Sequence, residues 1–576
     1  MKRQVGARRV QLIPAGIAAI LMVPLLGAAT TARSGPKTAT VTFVINTSKG
    51  LRAISPLIYG VNADKSVGSV SSFNTMVAET RPGLIRMGGN RWTAYNWENN
   101  DSNAGSDYEY ENDDFLTAST KPAAAVVPTV KAAEAEGATA LVTVPIAGYV
   151  SADRNPPGNV ENSGPDYLST RFRIDEPTEP GGPTLTPNLK DKYVYQDQFV
   201  YVLHHEVPKE PIMFSLDNEP DLWDSTHSEI HPVATTYAEL LSKDLEYAKA
   251  VKAVLPDALV TGPVNYGWEG YLTLQSASDS AADGDFLDWW MREVRLADKK
   301  AKKTLVNDLD LHWYPEATGG GIRITGTGTA PAVVAAREQA PRSLWDKSYV
   351  EDSWITQDTL DNKGIDLIPR LQGMIKEYNP GMNLDLSEWN YGGGQSISGG
   401  IATADVLGIF GRYGVHASAV WPLNSNESYT FGAFAMYRNY NGKGASFGNM
   451  EVSATTTNKV DSSVYASIDK ADPGHVVIVA INKSLTATPT TIDLEGGQSA
   501  TSAAVYKLTR ASSTAQAAKG LKTSSKNVFS YTMPAQSVTV IVPATSGSST
   551  TSRHLPPKQT TVPTSANPAA RLRRII

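Results

Sequence analysis

The 576-residue chain contains no cysteine. That removes disulfides, thiolate metal sites and a cysteine nucleophile, so a core of ordinary size must carry stability. The chain also lacks a strong charge bias: charged residues make up 19% and the formal net charge is -6. It therefore offers no basic footprint for nucleic acid and no steering field for an anionic partner, while a neutral polymer remains compatible. Beyond the N-terminus, long apolar runs are absent, and no later segment is apolar enough to cross a bilayer. There is no internal repeat.

The N-terminus itself reads as an export signal over residues 1–32. Lys2, Arg3, Arg8 and Arg9 precede an apolar stretch over 10–29, with Gly27-Ala28-Ala29 or Ala32 offering small residues for cleavage. Arg8-Arg9 admits a twin-arginine route, and a membrane anchor is the alternative reading of the same stretch. The expected location is secreted or periplasmic, with no membrane contact after signal removal.

With 41% hydrophobic residues, the remainder is long enough for two or three globular domains. Residues 38–56 alternate as strands, with Val41, Phe43 and Ile45 on one face. Eight short apolar runs follow, at 57–61, 84–87, 140–145, 212–216, 259–263, 309–313, 384–386 and 417–421. Helical patterns lie between them, at 235–254, 286–303, 367–378 and 401–413. Eight strands alternating with helices predict an α/β fold with a (β/α)8 TIM-like barrel over 57–424. The surplus length sits in loops at 96–114, 150–190 and 318–361, and long loops of this kind are usually functional. Strand patterns at 464–468, 476–481, 503–508 and 538–542 predict a smaller β-sandwich over 425–545, which the N-terminal strands join. Residues 546–576 read as a disordered Ser/Thr/Pro-rich tail.

The polar residues collect at the strand ends, where such barrels build their sites. Ser215-Leu216-Asp217-Asn218-Glu219-Pro220 ends the fourth strand and Leu384-Asp385-Leu386-Ser387-Glu388-Trp389-Asn390 the seventh. Strands four and seven face each other across a barrel mouth, so Glu219 and Glu388 can flank one bond, the minimum arrangement for glycosidic cleavage. Either glutamate alone reads equally well as a solvated or salt-bridged strand-end residue. Asn218 offers an amide for a sugar hydroxyl. Tyr314 and Arg86 are candidate partners of Glu388, with a structural rim ion pair as the alternative for Arg86. His312 is either a wall of the site or core.

Asn90 follows the second strand, and the aromatics Trp92, Trp97, Tyr149, Trp223, Trp268, Trp389, Tyr391 and Trp421 sit mostly at or after strand ends. Aromatic faces suit the apolar C–H faces of sugars, and half of these rings are expected in the core and half along a cleft. The acidic loop of Asp101, Asp107, Glu109, Glu111, Asp113 and Asp114 has calcium-type ligands, with Asp153 a looser candidate, but a solvated acidic loop is the preferred reading. The metal ligands are unassigned. Gly392-Gly393-Gly394 lacks the lysine and context of a phosphate loop.

Five ordered motifs together resemble glycoside hydrolase family 44. They are Arg86-Met87-Gly88-Gly89-Asn90-Arg91, Tyr95-Asn96-Trp97-Glu98-Asn99-Asn100, the Asp217-Asn218-Glu219-Pro220 stretch with Leu222-Trp223, His312-Trp313-Tyr314-Pro315 and Ser387-Glu388-Trp389-Asn390-Tyr391. The resemblance spans roughly residues 38–545. It implies a bacterial endo-β-1,4-glucanase or xyloglucanase, a barrel plus β-sandwich, and a retaining mechanism with Glu219 as acid/base and Glu388 as nucleophile. It implies no cofactor for the chemistry and, in some members, a structural calcium. The expected partner is a β-1,4-linked glucan, with the protein acting as a monomer. No carbohydrate-binding or dockerin pattern is recognisable after Thr545. The rival readings are the same chemistry on xylan or mannan, and a catalytically inactive glycan-binding protein.

Overall fold

The computed structural model describes residues 40–63, 70–208 and 211–545. The expected export signal at 1–32 and the expected disordered tail at 546–576 fall on residues outside those described. Strand β1 (Val41–Asn46) precedes eight parallel strands that close into a barrel. These are β2 (Gly60–Asn62), β3 (Leu84–Met87), β4 (Thr139–Val144), β5 (Ile212–Leu216), β6 (Leu259–Asn265), β7 (Asp308–Trp313), β8 (Asn383–Trp389) and β9 (Ala417–Val420). Each pairs with its neighbours in chain order, and β9 closes the ring on β2. All eight expected runs are strands. The first begins later than expected because Pro56–Ile58 forms a 3-10 turn, capped by Ser55.

The principal helices follow the same alternation: α1 (Val70–Thr80), α2 (Val127–Glu136), α3 (Gln196–Glu206), α4 (Tyr237–Val254), α5 (Phe286–Ala301), α6 (Leu367–Tyr378), α7 (Ile397–Tyr413) and α8 (Ser428–Arg438). Thr236 caps α4 by accepting from the Glu239 amide, and Gly414 ends α7 with φ 69. The strands read as continuous apolar runs because helices cover their outer faces. Inside the ring, Leu84, Leu141, Met213, Ala417 and Ala419 form a separate small cluster. Above them the side chains become polar: Asn62, Arg86, Thr143, Ser215, Thr261 and Asp310 are all fully buried.

The second layer comprises β10 (Met450–Thr456), β11 (Ser462–Ile468), β12 (Val476–Asn482), β13 (Thr488–Glu495), β14 (Ala500–Thr509), β15 (Ser512–Ser525), β16 (Val528–Met533) and β17 (Ser537–Thr545). Strand β1 pairs parallel with β13 and antiparallel with β10, which joins the two edges of this sandwich. Helix α7 lies between barrel and sandwich and is buried from Ile397 to Gly411. Asp405 pins it there, accepting from the Tyr465 hydroxyl at 2.6 Å and pairing with Lys483 at 2.6 Å. A Cβ at Gly408 would meet the Tyr465 ring at 2.3 Å, so only glycine permits this approach.

The long loops carry small ribbons of their own. Ser102–Asn103 pairs with Asn112–Asp113. Tyr149–Ser151, Phe172–Glu176 and Tyr193–Tyr195 form a three-stranded sheet after β4.

Candidate active site

Both glutamates stand at the C-terminal ends of their strands, at the same mouth of the barrel. Glu219 follows β5 on a turn in which Asp217 and Glu219 have φ values of 67 and 44. Such left-handed geometry is unfavourable for these residues and persists only where the surroundings hold it. The Asp217 carboxylate supplies that hold. It accepts from the Thr93 hydroxyl (2.6 Å) and the Asn218 amide (2.8 Å) on one oxygen, and from the Ile146 (2.6 Å) and Ala147 (3.1 Å) amides on the other. One buried side chain thereby ties the loops after β3 and β4 to the turn carrying Glu219. Sequence reasoning quoted Asp217 but gave it no role, because its partners on the other loops, Thr93, Ile146 and Ala147, lie 70 or more positions away.

Glu388 reaches the site through an irregularity. In the pairing of β7 with β8 the register shifts after Leu311, so His312 lies opposite Glu388 and Ser387 is skipped. Strict alternation puts Glu388 on the outward face of Leu384 and Leu386. The extra residue at Ser387 turns it into the mouth, as bulges beside active sites do.

The two carboxylates share a network of donors. Fully buried Arg86 donates from one terminal nitrogen to Glu388 Oε1 (2.6 Å) and Asn62 Oδ1 (3.0 Å), and from the other to Asn218 Oδ1 (2.8 Å). A Cβ on Gly88 would lie 2.2 Å from the guanidinium carbon, so the backbone can pass there only as glycine. Tyr314 donates its phenol to Glu388 Oε2 at 2.8 Å. Burial, then the Glu388 charge, holds that phenol well above its usual range, so it remains a donor.

His312 Nε2 faces Arg86 at 3.4 Å, and a guanidinium can only donate. The ring proton therefore sits on Nδ1, where it is given to Glu219 Oε1 at 2.8 Å, with Glu388 Oε2 at 3.5 Å. Burial is the largest influence on His312 and brings it down to about 4, with Glu388 raising and Arg86 lowering it; the ring is neutral near pH 7. Burial likewise pushes Glu219 up to about 8, against the pull of Arg86 and with Asp107 adding to the rise. One oxygen each of Glu219 and Glu388 and a nitrogen of His312 lie within 4.8 Å of one another.

Asn218 also accepts from the Gly89 amide at 3.1 Å and donates to Asn90 Oδ1 at 3.4 Å. Asn90 is half-buried and donates to Asp107. Trp421 is half-buried with its ring over Gly89, and Tyr149 is half-buried on the loop after β4. The other expected sugar-facing rings are core. Trp97, Trp223 and Trp389 have no exposed surface, Tyr391 is 1% exposed and Trp92 5% exposed. Trp97 stacks on Phe199, and Trp389 packs against Phe410 and Phe434. Their place after strand ends reflects the aromatic layer between strands and helices, which the same spacing cannot distinguish from a cleft. Two rings that sequence reasoning passed over, Tyr266 after β6 and Trp354 in the long loop after β7, are half-buried and exposed respectively. Both stand by signals already used for other residues, a strand end and a long loop.

The acidic loop is interleaved with arginines. Asp101 and Asp114 pair with Arg154, Asp113 with Arg91, and Asp153 with Arg171. Among the described residues, the groups of three metal-type ligands that come together are Glu219, His312 and Glu388, and Asp308, Asp385 and His416; neither draws on that loop.

Comparison with known proteins gives the same answer as the geometry. The pattern of glycoside hydrolase family 44 matches residues 101–317. Endoglucanase A of Paenibacillus lautus is 40% identical over 521 residues, covering 87% of this chain and 72% of that one. The Beta-mannanase/endoglucanase A of Caldicellulosiruptor saccharolyticus is 40% identical over 476 residues, covering 77% of this chain and 34% of that longer protein. The structure of a Paenibacillus polymyxa family 44 xyloglucanase with xyloglucan superposes with a TM-score of 0.82 at 38% identity, over 88% of this chain and 100% of that one. A likeness of this extent, at this identity, makes the chain a glycan-hydrolysing enzyme that belongs to glycoside hydrolase family 44.

Proposed function

We propose that the protein is a secreted, retaining endo-β-1,4-glucanase acting on β-1,4-glucans and xyloglucan. The observation that carries the mechanism is the approach of one oxygen of Glu219 to one of Glu388 within 4.8 Å. Retaining enzymes hold their carboxyl groups about 5–5.5 Å apart, whereas inverting enzymes need about 6.5–9.5 Å to admit a water. In the first step a Glu388 oxygen bonds to the anomeric carbon as the bond to the leaving oxygen breaks, and that oxygen takes the Glu219 proton. In the second, Glu219 takes a proton from water, the water oxygen bonds to the anomeric carbon, and the Glu388 ester bond breaks. Glu219, raised to about 8, is protonated at neutral pH as the first step requires. Arg86 and Tyr314 occupy both oxygens of Glu388 and orient it. Asn218, held by Arg86, presents its amide nitrogen to the 2-hydroxyl of the ring under attack, a contact that strengthens in the transition state.

Glucan specificity rests on the likeness to an endoglucanase and to a xyloglucanase whose structure is with xyloglucan. Export rests on the signal-like residues 1–32. The barrel of one chain supplies all the named groups, so a monomer suffices, and the double displacement itself calls for no cofactor.

The test is reducing-end release from carboxymethylcellulose, mixed-linkage glucan, xyloglucan, xylan and mannan, with Glu219→Gln alongside. NMR of the first-formed anomer decides the stereochemistry. Activity on the glucans with a β-anomer supports the proposal. Activity confined to xylan or mannan overturns the substrate, an α-anomer overturns retention, and binding without turnover makes the protein a glycan-binding protein.

A further inference from the structure

Ser387 is an extra residue on both sides of its strand. Against β7, Leu386 and Glu388 lie opposite the successive residues Leu311 and His312. Against β9, Leu386 lies opposite Ser418 and Trp389 opposite Val420, so Ser387 and Glu388 together face Ala419. The extra residue of a bulge drops out of regular pairing, and buried peptide groups need partners. Two side chains bond to those of Ser387. Its amide donates to Asp310 Oδ1 at 3.0 Å, and its carbonyl accepts from Asn62 Nδ2 at 3.0 Å. We propose that Asn62 and Asp310 are positioning residues for the nucleophile, which together clip the Ser387 bulge and so aim Glu388 into the barrel mouth. This rests on the reading of Glu388 as nucleophile and deepens it.

Each clip is itself fixed. Asp310, fully buried on β7, accepts from the Thr261 hydroxyl of β6 on its other oxygen at 2.9 Å. Asn62, fully buried at the end of β2, reaches past β9 to the bulge. On the way its amide nitrogen approaches the carbonyls of Ala419 (3.3 Å) and Val420 (3.4 Å). Its own side-chain carbonyl accepts from Arg86 at 3.0 Å, from the same terminal nitrogen that donates to Glu388 Oε1.

The path from the Ser387 carbonyl through Asn62 and Arg86 to the Glu388 carboxylate is therefore a closed ring. It ties the main chain that carries the nucleophile to the nucleophile's own carboxylate. Asp310 holds the opposite side of the same peptide unit. Beyond the bulge, Trp389 is anchored against Phe410 and Phe434. Loss of a clip should therefore shift Glu388 and not reverse the strand. A displacement of about 1 Å is enough to cost about 100-fold in rate.

The test compares wild type, Asn62→Leu, Asp310→Leu, Asp310→Asn and the double leucine variant on cellopentaose. Each leucine variant should lose about 100-fold in kcat, with KM and calorimetric affinity little changed. Asp310→Asn should keep most of the activity. Its oxygen accepts from Ser387 and its nitrogen donates to the Thr261 hydroxyl, which can accept as well as give. The double variant should fall no further than the worse single one, because both residues hold one peptide unit. Trapping by an aryl β-cellobioside with fluorine in place of its 2-hydroxyl should slow in parallel with kcat. There the aryl oxygen leaves as Glu388 bonds to the anomeric carbon, and intact mass reads the ester. Equal damage from Asp310→Asn and Asp310→Leu, losses that multiply in the double variant, or a loss in KM alone overturns the clip. Should a leucine variant not fold, Thr261→Val frees one oxygen of Asp310 at little change of shape. A fall of about fivefold in its kcat, the worth of one hydrogen bond, supports the clip, and wild-type kcat overturns it. Crystal structures of wild type and Asp310→Leu separate the two proposals. A displaced Glu388 in the variant, with no trapped ester in wild type, keeps the clip and defeats the double displacement. An unmoved Glu388 defeats the clip whichever anomer is formed.

Discussion

His312 gives its Nδ1 proton to Glu219 Oε1 over 2.8 Å while Arg86 faces its other ring nitrogen at 3.4 Å. Because Oε1 is already an acceptor, the proton of the Glu219 acid is directed to Oε2. A neutral ring thus decides which oxygen of the acid faces the leaving group. Replacing His312 with leucine removes this direction and a donor that favours the ionised form. We expect kcat/KM to fall about 100-fold, and the alkaline limb of its pH profile to move upward. A limb that stays in place would show that the hydrogen bond does not set the proton.

The position of that limb follows from Glu219 itself. Burial raises its carboxyl to about 8, so the acid is present below that value and lost as pH rises through it. kcat/KM should therefore decline above about pH 8. The stability effect has the matching sign. An acid raised above its unfolded value is harder to ionise when folded, so stability is lost progressively between the unfolded pKa and about 8. Glu219→Gln removes this cost. Its unfolding midpoint should exceed that of wild type at pH 8, and the gap should close toward pH 4.5, as thermal scans across that range would show.

Asp217→Asn tests the clamp beneath the acid. An amide in this place can accept from only two of the four donors, leaving the Thr93 and Asn218 pair or the Ile146 and Ala147 pair unmet. The expected loss is about 2–4 kcal/mol of unfolding free energy, read from urea titrations. kcat should fall with it, because the left-handed turn at Glu219 is held by this residue.

At the other end of the barrel, His416 lies 3.1 Å from Asp385 and 3.4 Å from Asp308, both buried. Burial lowers its pKa, but the two aspartates outweigh that and bring it up to about 10. Burial and the Asp308 charge hold the Asp385 carboxyl well above its usual range, so His416→Leu leaves one buried carboxylate without its cation, and we expect a loss of about 3–5 kcal/mol at pH 6. A raised histidine contributes fully below its unfolded value and is lost through about 10, so the difference from wild type should narrow toward pH 10. Specific activity of the folded variant should be unchanged, because barrel sites lie at the opposite face.

Much of this molecule is local information. The eight barrel strands are legible because each is a short apolar run between helical patterns, and parallel strands covered on both faces leave that trace. The strands β11, β12, β14 and β17 are legible for a similar reason. The strands β10, β13, β15 and β16 are not: Ser512–Ser525 is mostly Ser, Thr, Ala and Lys, Thr488–Glu495 mixes threonine, proline and acidic residues, and Met450–Thr456 and Val528–Met533 are short runs broken by polar residues. Helix α8 escaped because glycine and aromatics blur its period; it is held by packing against α7 and β15.

The residue types and spacings by themselves determined the barrel and the presence of Glu219, Glu388, Arg86, His312 and Tyr314 at strand ends. Those properties depend on near neighbours along the chain. Which tryptophans are core, that Asp217 clamps the acid, and that Ser387 bulges to turn Glu388 inward were decided only by tertiary structure. So was the protonation of His312 and Glu219. The reason is physical: burial, bulge register and hydrogen-bond partners are set by residues far apart in sequence, such as Arg86 and Glu388 at 302 positions' separation. Aromatic rings at strand ends have the same local pattern whether a helix or a sugar covers them.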